Sequence, residues 1–250
     1  LKFKMKDSAL MRTLFGLVQI LTDEAELKLN NDGINIRHMD PSRVAMVDTF
    51  WPKSAFEEYA SPKEPEKVRL NLIELMKLLR RAGKDEAVEL ELDANTGKIQ
   101  VRITGKYSRN FTLPSLEADE EDVPTPKITF NSKIKLVSSG INQAIEDTQL
   151  VSDHVKLVAE NDLLQLNAAG DLMTADIKLA KGNEALLDIS VKEPCKATYS
   201  LSYIKEMIGS AQSFSEIATL EFSTDMPAKL SYEKNGMTLT YFMAPRIETE

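Results

Sequence analysis

Apolar residues recur along the chain with two periods, and the places where one gives way to the other outline the fold. After a short strand at Lys2 to Met5, Leu10, Leu14, Leu17, Val18 and Leu21 recur at helical spacing behind Ser8, a residue suited to capping. A helix is therefore expected from Ser8 to about Leu21. Period-two runs follow at Ala25 to Leu29 and Ile34 to Arg37, joined by Asn30-Asn31-Asp32-Gly33, whose Asp-Gly pair favours a hairpin turn. A third run covers Val44 to Phe50, and Trp51 to Glu66, with three prolines, reads as connection or edge structure. Leu72, Leu75, Met76 and Leu79 form the stripe of a second helix from about Asn71 to Ala82, with a left-handed cap expected at Gly83. Strands are expected at Ala87 to Asp93, Lys98 to Thr104 and Tyr107 to Leu113.

The stretch Leu116 to Lys127 breaks both periods. Five carboxylates between Glu117 and Asp122 repel one another, and Pro124 and Pro126 remove backbone donors, so this is a linker. Beyond it the same order returns. A strand is expected near Lys127 to Phe130, and a helix from about Ser132 to Ile145 on Ile134, Val137, Ile141, Ala144 and Ile145. Strands follow at Val155 to Glu160, Leu163 to Ala168, Leu172 to Leu179, Ala185 to Val191 and Cys195 to Ser200. A helix at Leu201 to Ala211 and strands at Thr219 to Ser223, Lys229 to Tyr232 and Met237 to Met243 complete the set.

The two halves align. Pro114 and Pro245 are 131 positions apart, Leu72 and Leu201 are 129 apart, and Ser8 and Ser132 are 124 apart. The drift runs one way, as small loop insertions in a duplicated domain would produce. The fold class is α+β: two domains, at 1–116 and 128–250, each with two helices on a mainly antiparallel sheet, joined by the linker at 117–127.

Composition narrows the chemistry. Cys195 is the one cysteine, which leaves no internal disulfide and no thiolate cluster, and it reads as a small buried residue beside Pro194. No window approaches the roughly 18 apolar residues of a membrane span, and a soluble, intracellular chain is expected. Gly-Lys-Ser/Thr phosphate loops, His-Glu-x-x-His and Cys-x-x-Cys are absent, and His38 and His154 are isolated imidazoles. The acidic pairs sit in the linker, whereas a catalytic acid and base need rigid placement. An enzyme, a metal and a cofactor are therefore not expected; a hydrolase working through its carboxylates would need a metal-dependent activity.

The net charge is −8, which argues against nucleic acid until the distribution is followed. The windows Lys2 to Val18, Asn71 to Lys84, Asn131 to Ile145 and Ser200 to Gln212 hold eleven basic residues against three acidic, leaving twenty basic and thirty-six acidic elsewhere. If the four helices share one side of the sheets, Lys2, Lys4, Arg12, Lys77, Arg80, Arg81, Lys84, Lys133 and Lys205 make that side basic, a surface suited to phosphate without base specificity.

Two motifs carry a family resemblance over the whole chain. Met39-Asp40-Pro41-Ser42-Arg43-Val44 and the ending Ala244-Pro245-Arg246-Ile247-Glu248 are similar to signatures of the archaeal-type DNA sliding clamps, homologues of proliferating cell nuclear antigen (PCNA). The resemblance implies a non-enzymatic processivity factor: a homotrimeric ring, in the cytoplasm and on the nucleoid, whose twelve helices face encircled duplex DNA. It further implies a peptide pocket for DNA polymerase, flap endonuclease, DNA ligase and the clamp loader (replication factor C), reading Gln-x-x-hydrophobic-x-x-aromatic-aromatic. By position the pocket is Met39, Arg43, Val44, Val123, Pro124, Pro227, Phe242, Ala244, Pro245 and Ile247. The subunit interface would join Tyr107, Arg109 and Phe111 of one edge strand to Thr174, Asp176 and Ile177 of the next chain. Arg81, Lys84 and Arg109 would face Glu146 and Asp147 of that neighbour. Arginine at 109, where some relatives carry an aromatic residue, implies a charge-dependent joint. The alternative is a ring-less or heteromeric scaffold for the same peptides.

Overall fold

The computed structural model describes residues 2–60, 64–93, 96–118 and 123–247. The most acidic part of the linker, 119–122, and the tail's Glu248 lie outside the described residues. The chain divides into two compact units: residues 1–41, 47–124 and 234–239 form the first, and residues 42–46, 125–233 and 240–250 the second.

The first half of the chain runs β1 (Lys2–Met5), α1 (Ser8–Gln19), β2 (Glu24–Leu29), β3 (Gly33–Met39), β4 (Ala45–Pro52), a 3-10 turn at Lys53–Ala55, β5 (Glu58–Ala60) and β6 (Glu66–Asn71). It continues with α2 (Leu72–Leu79), β7 (Ala87–Asp93), β8 (Lys98–Thr104) and β9 (Ser108–Pro114). The second half repeats this as β10 (Ser132–Val137), α3 (Ser138–Gln149), β11 (His154–Glu160), β12 (Leu163–Ala169), β13 (Thr174–Ala180), β14 (Leu186–Val191) and β15 (Cys195–Ser200). Then come α4 (Leu201–Ala211), β16 (Ile217–Phe222), β17 (Ala228–Lys234) and β18 (Met237–Met243).

The strand orders repeat as well. In the first half they are β5-β1-β7-β8-β9 and β4-β3-β2-β6; in the second they are β14-β10-β16-β17-β18 and β13-β12-β11-β15. Helix pairs lie over these strands: α1 packs on α2, β1 and β7, and α3 on α4, β10, β11, β12 and β13. The buried faces are Met11, Leu14, Phe15, Leu17 and Val18 of α1 and Leu72, Leu75, Met76 and Leu79 of α2. In the second half they are Ile141, Ala144 and Ile145 of α3 and Leu201, Ile204, Met207, Ile208 and Ala211 of α4. Among the described residues no helix is long and apolar enough to cross a membrane.

The turns follow their sequences. Asn235 and Gly236 both take positive φ, at 51° and 79°, as a two-residue hairpin between β17 and β18 requires. Gly33 has φ 151°, and a Cβ there would stand 2.1 Å from the carbonyl oxygen of Trp51, so only glycine fits the β2–β3 turn.

Several expectations are corrected. Asp7, not Ser8, caps α1, its Oδ1 accepting from the amides of Ala9 at 2.9 Å and Leu10 at 3.0 Å. Ser8 is buried and donates to the carbonyl of Gly83 at 2.6 Å. Gly83 is not among the positive-φ glycines; its amide is instead taken by Glu86. No strand forms at Lys127 to Phe130, and Glu66–Asn71, for which none was expected, pairs with β2.

The largest correction is at Ser132, where a strand replaces the expected helix. Ile134 and Leu136 are buried while Lys133 and Lys135 are exposed, and β10 lies between β14 and β16. Ile134 and Val137 happen to sit at helical spacing from Ile141, so the strand's alternation was absorbed into the stripe of the helix that follows. With α3 beginning at Ser138, the counterpart of Ser8 is 130 positions away, and Ser138 Oγ makes the equivalent bond, to the carbonyl of Ser215 at 2.8 Å. The apparent drift between the halves disappears.

Candidate nucleic-acid and partner surfaces

The helical surface is less basic than the sequence windows imply. Lys2 and Lys4 alternate on β1 with the buried Phe3 and Met5, so strand alternation turns them away from the helices. There they are neutralised: Lys2 Nζ is 3.0 Å from Glu89 and 3.5 Å from Glu58, and Lys4 Nζ is 3.0 Å from Glu57 and 3.5 Å from Glu58. Glu89 and Glu57 hold these ammonium groups above the usual lysine range. Lys133 is turned away in the same manner on β10. The place expected for Lys2, Lys4 and Lys133 on the helical surface is therefore corrected.

What remains there is Arg12 on α1, Lys77 on α2, Arg80, Arg81 and Lys84 just after it, and Lys205 on α4. Counted from each capping residue, and through Lys84 after α2, the four helices carry six basic residues and five acidic ones. Lys77 is half-compensated by Glu74 at 2.6 Å, whereas Arg80, Arg81 and Lys84 are exposed.

The expected pocket residues fall into two groups. In the second unit the amide of Ala244 donates to the carbonyl of Val44 at 2.8 Å, which sets the start of the tail against the segment containing Arg43. Arg43 has φ 57° and its side chain is exposed. The tail continues along the edge of β15: the Arg246 amide donates to the Thr198 carbonyl at 2.7 Å, and its guanidinium lies 2.8 Å from Nδ1 of His154. Pro245 is half-buried and Ile247 is 77% exposed, while Phe242 is in the core. Pro227 is half-buried next to Met226, whose carbonyl accepts from the buried Tyr199 hydroxyl at 2.7 Å.

In the first unit, Arg37 holds the linker's end. Its Nη1 donates to the Val123 carbonyl at 3.3 Å while Nε and Nη2 bind Asp48 at 2.9 Å and 2.7 Å. Met39 ends β3 half-buried, and Pro124 is exposed.

The expected strand residues of the interface lie on or beside two sheet edges that are unpaired among the described residues, because β9 and β13 are both terminal in their sheets. Tyr107 is 66% exposed beside β9, Phe111 is half-buried, and on β13 Thr174 and Asp176 are exposed with Ile177 half-buried. Glu146 and Asp147 are exposed on α3, which packs against β13. Arg109, expected to face Glu146 and Asp147 of a neighbouring copy, makes bonds within its own chain. It is ion-paired with Glu86, donates to the Arg81 carbonyl at 3.0 Å and lies 5.3 Å over the Tyr107 ring. Glu86 also accepts from the Gly83 amide at 2.7 Å. That bond first, and Arg109 second, hold its carboxyl below the usual range.

Glu86 and the Arg37–Asp48 pair were missed from sequence. Neither carries a local pattern, since Arg109 and Asp48 reach their partners only through strand pairing.

The family profile of the proliferating cell nuclear antigen N-terminal domain matches residues 1–121, and that of the C-terminal domain residues 124–247. DNA polymerase sliding clamp 1 of Pyrobaculum aerophilum is 36% identical over 232 residues, 92% of each chain. The DNA polymerase sliding clamp of Thermofilum pendens is 32% identical over 248 residues, 99% of each. Among solved structures, a PCNA2–PCNA3 complex from Sulfolobus tokodaii matches with a TM-score of 0.89 at 29% identity, covering 99% of this chain and 100% of that one. This chain belongs to the proliferating cell nuclear antigen family.

Proposed function

We propose that the chain is a non-catalytic sliding clamp for a DNA polymerase, acting as a ring of three copies around duplex DNA. The pair of unpaired edges carries this reading. By the repeat, β18 corresponds to β9 and β4 to β13. In the first unit Thr49 of β4 bonds Thr238 of β18, and in the second Val44 bonds Ala244, so these two counterparts run side by side. Joining β9 of one copy to β13 of the next repeats that arrangement between chains, head to tail, and covers two edges that otherwise invite uncontrolled pairing. Arg81 and Lys84 near the β9 edge and Glu146 and Asp147 near the β13 edge give the join opposite charges.

Partners dock through short peptides on the apolar groups of the second unit's tail and its neighbours: Val44, Pro227, Ala244, Pro245 and Ile247. Polymerase, flap endonuclease, ligase and the clamp loader are the proposed partners, in the cytoplasm and on the nucleoid. The complex of two different chains in the Sulfolobus tokodaii structure favours one second reading, a ring shared with a related chain.

Light scattering on the purified protein tests the reading. The expected mass is three times 28.0 kDa. Glu146→Lys with Asp147→Lys should dissociate the ring, and adding Arg81→Glu and Lys84→Glu should restore it. A monomer at all concentrations would refute the homotrimer.

A further inference from the structure

The duplication allows the two helix pairs to be compared position by position. Arg12 of α1 has Asn142 as its counterpart in α3, 130 residues on. Lys77, Arg80 and Arg81 have Glu206, Gly209 and Ser210, each 129 residues on. Every cation of the first pair is thus lost in the second, and at 206 the sign reverses. With capping residues included, the first pair and its flank hold five basic residues against Asp7 and Glu74. The second holds Lys205 against Glu146, Asp147 and Glu206.

Packing agrees with the charge. Asn142 is 8% exposed, its Nδ2 donates to Glu146 at 3.0 Å, and its Oδ1 lies 3.4 Å from where a Cβ on Gly209 would stand. The second pair therefore has a short, inward-turned Asn142 where the first has Arg12, and no side chain at Gly209 where the first has Arg80. Lys205 is half-buried and adjacent to Glu206.

We infer that the DNA backbone is held by the first unit alone, through Arg80 and Arg81 with Arg12 and Lys77 beside them, and that the second unit's helix pair faces the duplex without ionic contact. This rests on the clamp reading. A three-copy ring then offers phosphate three cationic surfaces separated by three weakly acidic ones, which limits the number of simultaneous contacts and the salt dependence they produce.

The test is binding of a fluorescein-labelled 60-base-pair linear duplex across a potassium chloride series, with the duplex ends free or blocked by streptavidin. Arg12→Ala with Arg80→Ala, which leaves Arg81 at the subunit join in place, removes up to six arginines from a three-copy ring and should reduce the slope of log affinity against log salt by about 2 for each copy in contact, since each phosphate contact contributes about 0.9. Lys205→Ala should leave the slope unchanged, and Glu206→Lys with Gly209→Lys should raise it. Light scattering confirms that each variant keeps its mass. An effect of Lys205→Ala equal to that of the arginine pair, or a double arginine variant with the parent slope, overturns the inference alone. Binding by the unaltered protein that ignores blocked ends overturns the encircling ring, and the inference with it.

Discussion

Thr49 gives the sharpest test of how the strands are held. Its hydroxyl donates to the Thr238 carbonyl at 2.7 Å and accepts from the Trp51 indole N–H at 2.9 Å. Thr49 and Trp51 are both buried, and the indole also packs edge-on against Phe15, with ring centroids 5.0 Å apart. Thr49→Val keeps the shape and removes both bonds. The orphaned indole N–H costs about 1–3 kcal/mol and the lost bond to Thr238 about 0.5–1.5, so a destabilisation of about 2–4 kcal/mol is expected. Trp51 is the one tryptophan in the chain, so its fluorescence reports unfolding without a label. With a urea slope of about 3 kcal/mol per molar, the midpoint should fall by about 1 M, measured at fixed protein concentration because assembly contributes to stability. Thr49→Ser restores the hydroxyl and gives up one methyl, and should recover more than half of the loss. A valine midpoint within about 0.2 M of the parent, at the same slope, would refute the reasoning.

Two further outcomes follow from the ionisable groups. The folded-state pKa of Glu86 lies below its unfolded value of about 4.3, so its contribution is present above that pH and is lost as pH falls through the folded value. Glu86→Gln should therefore flatten the decline in melting temperature below about pH 4, and parallel curves for parent and variant would count against it. At the other extreme, burial raises the pKa of Tyr199, Tyr232 and Tyr241. Their stabilisation is complete below the unfolded value of about 10 and is lost as pH rises beyond it. In an ultraviolet titration these three of the six tyrosines should ionise only together with unfolding.

The duplication, the α+β class, all four helices and most strands were legible in the amino-acid sequence, because burial of one face imposes a period of 3.6 on a helix and 2 on a strand. Gly33 and the Asn235–Gly236 turn were legible for a related reason, since each position needs a backbone that few residues adopt. What misled was local ambiguity. Ile134 to Ile145 satisfies both periods, and only the placement of β10 between β14 and β16 decides that Ser132–Val137 is extended. That decision moved Lys133 off a helix, and the same strand alternation turned Lys2 and Lys4 toward Glu89 and Glu57.

The basic surface read from windows was therefore an average over two faces. A window sums charge along the chain, whereas a ligand meets only the side chains on one side of it. Tertiary structure alone settled which lysines share a face, that Arg109 pairs with Glu86 within the chain, and that the counterpart of Arg12 is Asn142. Sequence by itself determined that two copies of one domain would form; packing determined that their helical surfaces would differ.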